Sequence, residues 1–516
     1  MKRLLSIFIL FYALYLPSIC AQTGSKTDFL PQSTPEAQDV SSAGIIAFLD
    51  AAAKLSKLEL HDFVILRHGK VVAEGAWKPY DTQFKHTLYS TSKSFTSTAI
   101  GFAVQEGRLK LTDKVVWFFT KEDLPATISE NLAELNIRHL LTMTVGQEPE
   151  PPYAAANNWV KPALAGPVVN KPGSKFLYNN LGPFLLSAII QKVTGQKLID
   201  YLKPRLFIPL DIKEADYETN PQGINVGGYG LRLNIESMAK FGQLFLQKGK
   251  WKGRQVLSAE WIAEATKIQI GQPPSYVSEA QKPTSDWAQG YGYFFWRCRN
   301  NAYRADGAMG QFIVVMPDQD AVVALTANAP DMQAELNLVW DHLLPAMKAG
   351  KLKEDRPAQT ALKSKLTALA LSLPPKTANG SSAKAISGKT FIMEPNSLKI
   401  QSVSLEFKGD LCMLKLKTDA SSHDLSFGSG YWAKGQTTRH GPSLTFGSKG
   451  SLKGLPAFKV AGAYTWKDDD TLEMLLRYTE SVHSQLYKVK IVGDVITLEV
   501  PSPLNPGMNV TIKSVQ

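Results

Sequence analysis

The sequence predicts an α/β chain of the α+β kind: one antiparallel sheet flanked by helices, followed by a separate all-β domain. Asp62–Arg67, His68-Gly69-Lys70 and Val71–Gly75 read as a β-hairpin, and three strand-like runs come much later, at Tyr291–Arg297, Gln311–Met316 and Ala321–Thr326. Helix-patterned segments fill the space between. From Ile386 onward only short strands and turns remain.

The elements follow in order. Ala43–Lys57 is expected as a helix ahead of the hairpin. Ser90–Gln105 follows as a helix, with Phe95, Ala99, Phe102 and Ala103 on one side and Gly107 as its stop. Pro183–Val193 is another, with Pro183 in the first turn, where a missing N–H costs nothing, and Gly195 at the C-cap. In Ser237–Gln247 the side chains of Met238, Phe241, Leu244 and Phe245 form an apolar face. The late strands are joined by short turns and so run antiparallel; Leu336–Met347 closes the unit with a helix. Lys351–Pro357 and Pro374–Ser382 have linker composition around one short helix. Ser402–Phe407, Cys412–Leu416, Leu472–Tyr478, Tyr487–Ile491 and Val495–Val500 read as strands of a sandwich or barrel. The expected division is a leader over 1-21, a first domain over 22-350 that opens with a polar lead-in to about residue 42, a linker over 351-385, and an all-β domain over 386-516.

A chain of 516 residues exceeds what one core organises. Its 44% hydrophobic and 20% charged composition is that of a globular protein and excludes collagen-like, coiled-coil and disordered classes. Lys2 and Arg3, the apolar run Leu4–Leu16, Pro17 and the small-residue exit Ser18-Ile19-Cys20-Ala21 form the pattern of a secretory signal peptide. The run is shorter than the ~20 residues of a membrane span. No stable membrane span is expected after its removal, and the location is periplasmic or otherwise exported. Pro17-Ser18-Ile19 is a poor lipid-attachment box for Cys20, because small residues are expected just before such a cysteine. Cys298 and Cys412 then remain, in different domains, and neither they nor the eight histidines show metal spacing. Walker A, dinucleotide and H-E-x-x-H patterns are absent, so no cofactor is called for. The net charge of +11 is spread without a dense basic run, which argues against nucleic acid and favours anionic small substrates or surfaces.

Ser90-Thr91-Ser92-Lys93 is an S-x-x-K motif. Residues i and i+3 of a helix share a face, which brings Lys93 beside Ser90. The positive end of the helix favours negative charge developing on the serine. A buried lysine loses its proton near neutral pH and serves as a base. The spacing recurs at Ser237-Met238-Ala239-Lys240, mid-helix, and at Ser381-Ser382-Ala383-Lys384, in the linker, so spacing alone decides nothing. Context selects Ser90, which follows an exposed polar stretch and opens a strongly patterned helix. Tyr178, just before the next helix, is placed to shuttle protons once a nearby lysine lowers its pKa, or is simply a half-buried loop aromatic. Asn180 is placed to hydrogen-bond a substrate amide or the lysine.

Ser90-x-x-Lys93, Tyr178-x-Asn180 and a later glycine-bearing strand together resemble the serine β-lactamase and penicillin-binding-protein superfamily. The tyrosine variant is similar to class C β-lactamases and their esterase and 6-aminohexanoate-oligomer hydrolase relatives. Leu140–Gly146, Gly230-Leu231-Arg232-Leu233 and Met238–Leu244 extend the resemblance, which covers about residues 45 to 350. It implies a β-lactamase/transpeptidase-like fold, catalytic Ser90, Lys93 and Tyr178, and substrate contacts at Asn180, Gly307 and Ala308. By the same resemblance the oxyanion hole is the backbone N–H groups of Ser90 and Ala308. The third motif departs from the family pattern. Gly307 keeps the small residue that lets substrate approach, but Ala305 stands where a cation is expected. Main-chain donors survive such a change; carboxylate recognition, and with it efficient β-lactam or D-alanyl-peptide turnover, is put in doubt. Arg304 points to the opposite face of the strand, and Asp306 reads equally as structural or functional.

The leading expectation is an exported serine hydrolase that cleaves a small-molecule or peptide-like amide or ester through an acyl-enzyme on Ser90. The alternative is a catalytically inactive cell-wall peptide or glycan binding protein on the same fold. In the β-domain, Trp432, Trp466, Tyr431 and Tyr464 are either a sugar platform or core.

Overall fold

The computed structural model describes residues 30–155, 157–271, 274–445, 452–505 and 507–515. The leader expected over 1-21 lies outside the described residues. Six strands build the first sheet: β1 (Glu59–Arg67), β2 (Lys70–Ala76), β3 (Trp296–Arg297), β4 (Tyr303–Gly307), β5 (Gln311–Met316) and β6 (Ala321–Asn328). Their order is β2-β1-β6-β5-β4-β3, and every pairing is antiparallel. The hairpin and the late strands therefore meet at β1 and β6, with Phe63 opposite Leu325 and Ile65 opposite Val323.

Both faces of this sheet are covered, which is why its strands read as unbroken apolar runs. Successive side chains alternate across a strand. Val64, Leu66, Ile313, Val315, Val322 and Ala324 enter one core; Phe63, Ile65, Phe312, Val314, Val323 and Leu325 enter the other. The first core holds α2 (Ser92–Gln105), α3 (Leu181–Thr194) and α4 (Ile235–Leu246). The second holds α1 (Ser42–Lys54) and the helical run Met332–Ala346.

Several expectations change in detail. Ser90 is not in α2 itself but in a 3-10 turn, Tyr89–Thr91, that feeds it. Every residue of α2 from Ser92 to Ala103 is buried, so the helix has no solvent face to oppose its apolar side. Only Trp296–Arg297 of the expected strand Tyr291–Arg297 is regular, because Gly290 and Phe294 take positive φ (103° and 63°). The last helical run starts at Met332, where the Asp331 side chain accepts from Ala334 N. The lead-in is docked from Leu30 onward: Leu30 N donates to Glu236 Oε1 (3.0 Å) and Gln32 bridges to Val71. Within residues 351-385, the helix Arg356–Thr367 is capped by Asp355, and its Leu362 and Leu366 pack into the second core.

The C-terminal part is one ten-stranded, curled sheet. Its two ends approach each other through the Met393–Ser514 bridge. Val403, Leu405, Leu414, Leu416, Phe427, Leu476 and Leu498 alternate inward and fill a third core. Trp466 and Tyr464 belong to that core, whereas Tyr431 is exposed and Trp432 lies beside Arg477. Two of the four aromatics are therefore core residues, so the platform of all four is not formed. Cys298 and Cys412 are both buried free thiols. No described helix is long and apolar enough to cross a membrane.

Candidate active site

The turn that carries Ser90 is clamped between the sheet and α2. Leu88 N donates to Leu231 O (3.0 Å), and Thr91 Oγ1 donates to Gln311 O (2.6 Å). Gly307 at the end of β4 lies against this turn: a Cβ there would sit 2.2 Å from Leu88 O and 3.0 Å from Thr91 Oγ1. The glycine is thus demanded by the serine-bearing turn itself. Ala308 follows it, half-buried, at the rim of the same cavity as Ser90.

Lys93 is 1% exposed and its amine has three acceptors: Ser90 Oγ at 2.9 Å, Asn180 Oδ1 at 2.7 Å and Gly228 O at 2.8 Å. Loss of hydration disfavours the ammonium, while the carboxylates of Glu150 and Asp306 partly restore it. The balance leaves the Lys93 pKa at about 7. Asn180 is held at the N-cap of α3, where Glu150 Oε1 accepts from the backbone N–H groups of Asn180 (2.8 Å) and Leu181 (2.7 Å).

Tyr178 hydrogen-bonds Ser90 through its hydroxyl, and its ring centre is 4.8 Å from Lys93 Nζ. The ring stacks on Trp296 at 5.8 Å and meets Tyr291 edge-on. Burial pushes its pKa up, so the expectation that a lysine lowers it is reversed: the phenol keeps its proton. The Ser90, Lys93, Tyr178 and Asn180 named from sequence are therefore brought together, with Gly307 and Ala308 alongside. Glu150 and Gly228 were not found by sequence reasoning. Glu150 sits in a proline-rich loop without a motif; Gly228 contributes only a carbonyl, and its signal was the Gly227-Gly228 pair just before the Gly230–Leu233 stretch. Lys240, of the second S-x-x-K copy, instead faces Glu236 (3.4 Å) and the Asp211 carbonyl (3.2 Å).

Outside Ser90 opens a cavity of about 460 Å³. Tyr178, Tyr276, Trp287 and Trp296 give it aromatic walls, and Asp306 and Asp331 give it carboxylates. No basic side chain is among the described residues that line it. The overall charge of +11 is thus not reflected here.

The family model for β-lactamase matches residues 62–346, more than half of the chain. This chain belongs to the β-lactamase family. It is 23% identical over 306 residues to the 6-aminohexanoate-dimer hydrolase of Paenarthrobacter ureafaciens, covering 55% of this chain and 76% of that protein. It is 26% identical over 196 residues to a β-lactamase of Escherichia coli K12, covering 32% of this chain and 49% of that protein. Among solved structures, the octameric penicillin-binding protein homologue from Pyrococcus abyssi matches 91% of this chain and 99% of its own, at 17% identity and a TM-score of 0.47.

Within the family frame, β4 lacks the third-motif cation. Ala305 is buried in the first core and does not reach the cavity. Arg304 lies on the face opposite Ala305, which it shares with the cavity-lining Asp306, so strand alternation does not keep it from the cavity as expected; its partners do. Its guanidinium donates to Asp306 Oδ2 (2.8 Å) and Asp286 O (2.9 Å) and lies 4.4 Å from the Trp287 ring, behind the cavity wall. Asp306 is both structural, as that partner, and part of the cavity lining.

Two predictions follow from this geometry. Gly307→Ala is expected to lower stability by about 1–3 kcal/mol, the usual cost of overpacking, measured by denaturant unfolding; an unchanged midpoint would show that the turn can move aside. Glu150→Gln keeps one oxygen able to accept from both N–H groups but removes a charge that favours the Lys93 ammonium, so the Lys93 pKa is expected to fall below about 7. Titration of the lysine by NMR reads this directly, and an upward shift would contradict the assignment.

Proposed function

We propose that this chain is an exported serine hydrolase that cleaves an amide or ester bond through an acyl-enzyme on Ser90. The observation that carries the reading is the Lys93 amine, buried, 2.9 Å from Ser90 Oγ and poised near pH 7. Neutral Lys93 takes the proton of Ser90 as Oγ attacks the substrate carbonyl. The N–H groups of Ser90 and Ala308 receive the developing oxyanion, as the family resemblance implies. Tyr178, which stays protonated, donates to the leaving group, and the proton on Lys93 restores the phenol. Water then enters by the same route in reverse and releases the acyl group. Asn180 fixes the amine and faces the substrate amide. Export rests on the leader pattern of residues 1-21.

The cavity also bears on substrate class. An acidic, aromatic lining with Arg304 already committed to Asp306 supports an uncharged or cationic substrate group rather than a carboxylate.

A fluorophosphonate probe is expected to label the wild type and not Ser90→Ala, whereas Ser237→Ala and Ser381→Ala label normally. No labelling of a folded wild type would favour the inactive binding-protein alternative. Lys93→Met is expected to lower kcat/KM by roughly 10²–10⁴-fold, the range for a general base. In the wild type kcat/KM should rise with pH through about 7, as Lys93 deprotonates, and then level; a rate that falls over that window would exclude the neutral amine as the base. Matched p-nitrophenyl esters bearing a trimethylammonium, neutral or carboxylate group test the substrate class. The carboxylate ester is expected to be at least about tenfold poorer than the neutral one, a difference of about 1.4 kcal/mol. Asp331→Asn, which keeps the helix cap, should narrow that gap; a preferred carboxylate ester would refute the assignment.

A further inference from the structure

The C-terminal sheet reaches the residue next to Ser90. Its connection over residues 479–483 joins the strands Thr471–Tyr478 and Ser484–Val492. Such connections normally lie at the surface. Here none of Thr479, Glu480, Ser481, Val482 and His483 is more than 8% exposed. The loop is pressed into the segment that leads to the serine. Thr87 donates to Glu480 O from its backbone N (3.0 Å) and its hydroxyl (3.2 Å). Tyr80 Oη donates to Ser481 O (3.2 Å). The Glu480 carboxylate lies 3.4 Å from fully buried Arg232, whose strand pairs with His86–Thr87.

The last contact of the loop falls on Tyr89. Its hydroxyl is hydrogen-bonded to His483 Nε2, with the two rings edge-on at 5.9 Å. Leu444 N, from the same C-terminal part, also reaches that hydroxyl (3.4 Å). Tyr89 has φ +45°, in the left-handed region. For a residue with a side chain this conformation costs about 1–2 kcal/mol and persists only where the surroundings impose it. The peptide between Tyr89 and Ser90 carries the Ser90 N–H, so the torsions of Tyr89 aim both that N–H and the Ser90 side chain.

We propose that the C-terminal sheet is a positioning element of the hydrolase site: His483 holds Tyr89 in its left-handed conformation and thereby orients Ser90. This rests on the acyl-enzyme reading above. His483 touches no substrate and acts only through Tyr89.

The test uses the full-length chain with His483→Ala, Tyr89→Phe, the double variant and the conservative His483→Gln. Each single variant is expected to lower kcat and the fluorophosphonate labelling rate by about tenfold or more, the scale of small misplacements at a reacting group, with KM nearly unchanged. The double variant should be no worse than either single, because both remove the same hydrogen bond. His483→Gln, which restores an acceptor, should recover part of the loss. A second readout needs no turnover: the ¹⁵N shift of the Ser90 amide should move in the same direction in His483→Ala and Tyr89→Phe. Wild-type rates in both folded single variants, losses that multiply in the double, or an unmoved Ser90 amide would overturn the proposal. An unlabelled wild type whose Ser90 amide still responds to both substitutions would instead leave the clamp standing and sink the acyl-enzyme reading.

Discussion

A lysine amine removed from water must either find acceptors for its protons or give one up, and Lys93 is placed where both happen at once. Its three partners come from three separate parts of the chain: Ser90 from the turn ahead of α2, Asn180 from the cap of α3, and Gly228 from the loop before Leu231–Leu233. Each partner is fixed by something else. Gly307 packs under the serine turn. Glu150 ties down the start of α3. Gly228 leaves only 3.1 Å between a notional Cβ and Asn180 Oδ1, so the carbonyl can approach the lysine only because no side chain stands there. The depressed pKa of Lys93 is therefore a property of the packing of the whole first core, not of the motif.

The same burial acts oppositely on the neighbouring phenol. Desolvation penalises whichever form is charged. It lowers the lysine pKa and raises that of Tyr178. The two groups are pushed toward neutral amine and neutral phenol, a base and an acid side by side at neutral pH. Beyond them, β4, which ends at Gly307, borders the cavity with Asp306. Ala305 turns into the core, and Arg304, on the same face as Asp306, is consumed by Asp306 and the Asp286 carbonyl. The cation expected from the family pattern is thus absent from the cavity even though an arginine is one residue away.

The three cores are bound together by polar contacts as well as by apolar packing. Arg477, on the C-terminal sheet, pairs with Glu59 at the start of β1 (2.9 Å), while Arg232 lies under the Phe458 ring and beside Glu480. The Arg232–Glu480 pair is buried; such a pair adds little net stability, but removal of one partner leaves the other uncompensated. These contacts fix how the C-terminal sheet seats on the first unit, and through His483 the 479–483 loop of that seat reaches Tyr89, the residue before Ser90.

Much of this was legible in the amino-acid order. Periodicity marked the hairpin, α3 and α4, and strands β5 and β6, because alternation and helical repeat are local properties. The order Ser90-x-x-Lys93, Tyr178-x-Asn180 and Gly307 pointed to the family and named residues that the fold brings together. What the sequence could not carry is everything that depends on burial and on contacts between distant segments. It gave no sign that Glu150 and Gly228 complete the lysine's surroundings, that Tyr178 is driven up rather than down in pKa, or that a connection in the C-terminal sheet meets Tyr89. Glu150 is an unremarkable acid in a loop until the fold sets it against α3, and His483 is one of eight scattered histidines until the third core is seated on the first. The sequence by itself determined which side chains are available and which backbone runs form helices and strands; tertiary structure alone decided their protonation and their partners, because both depend on which groups exclude water from one another.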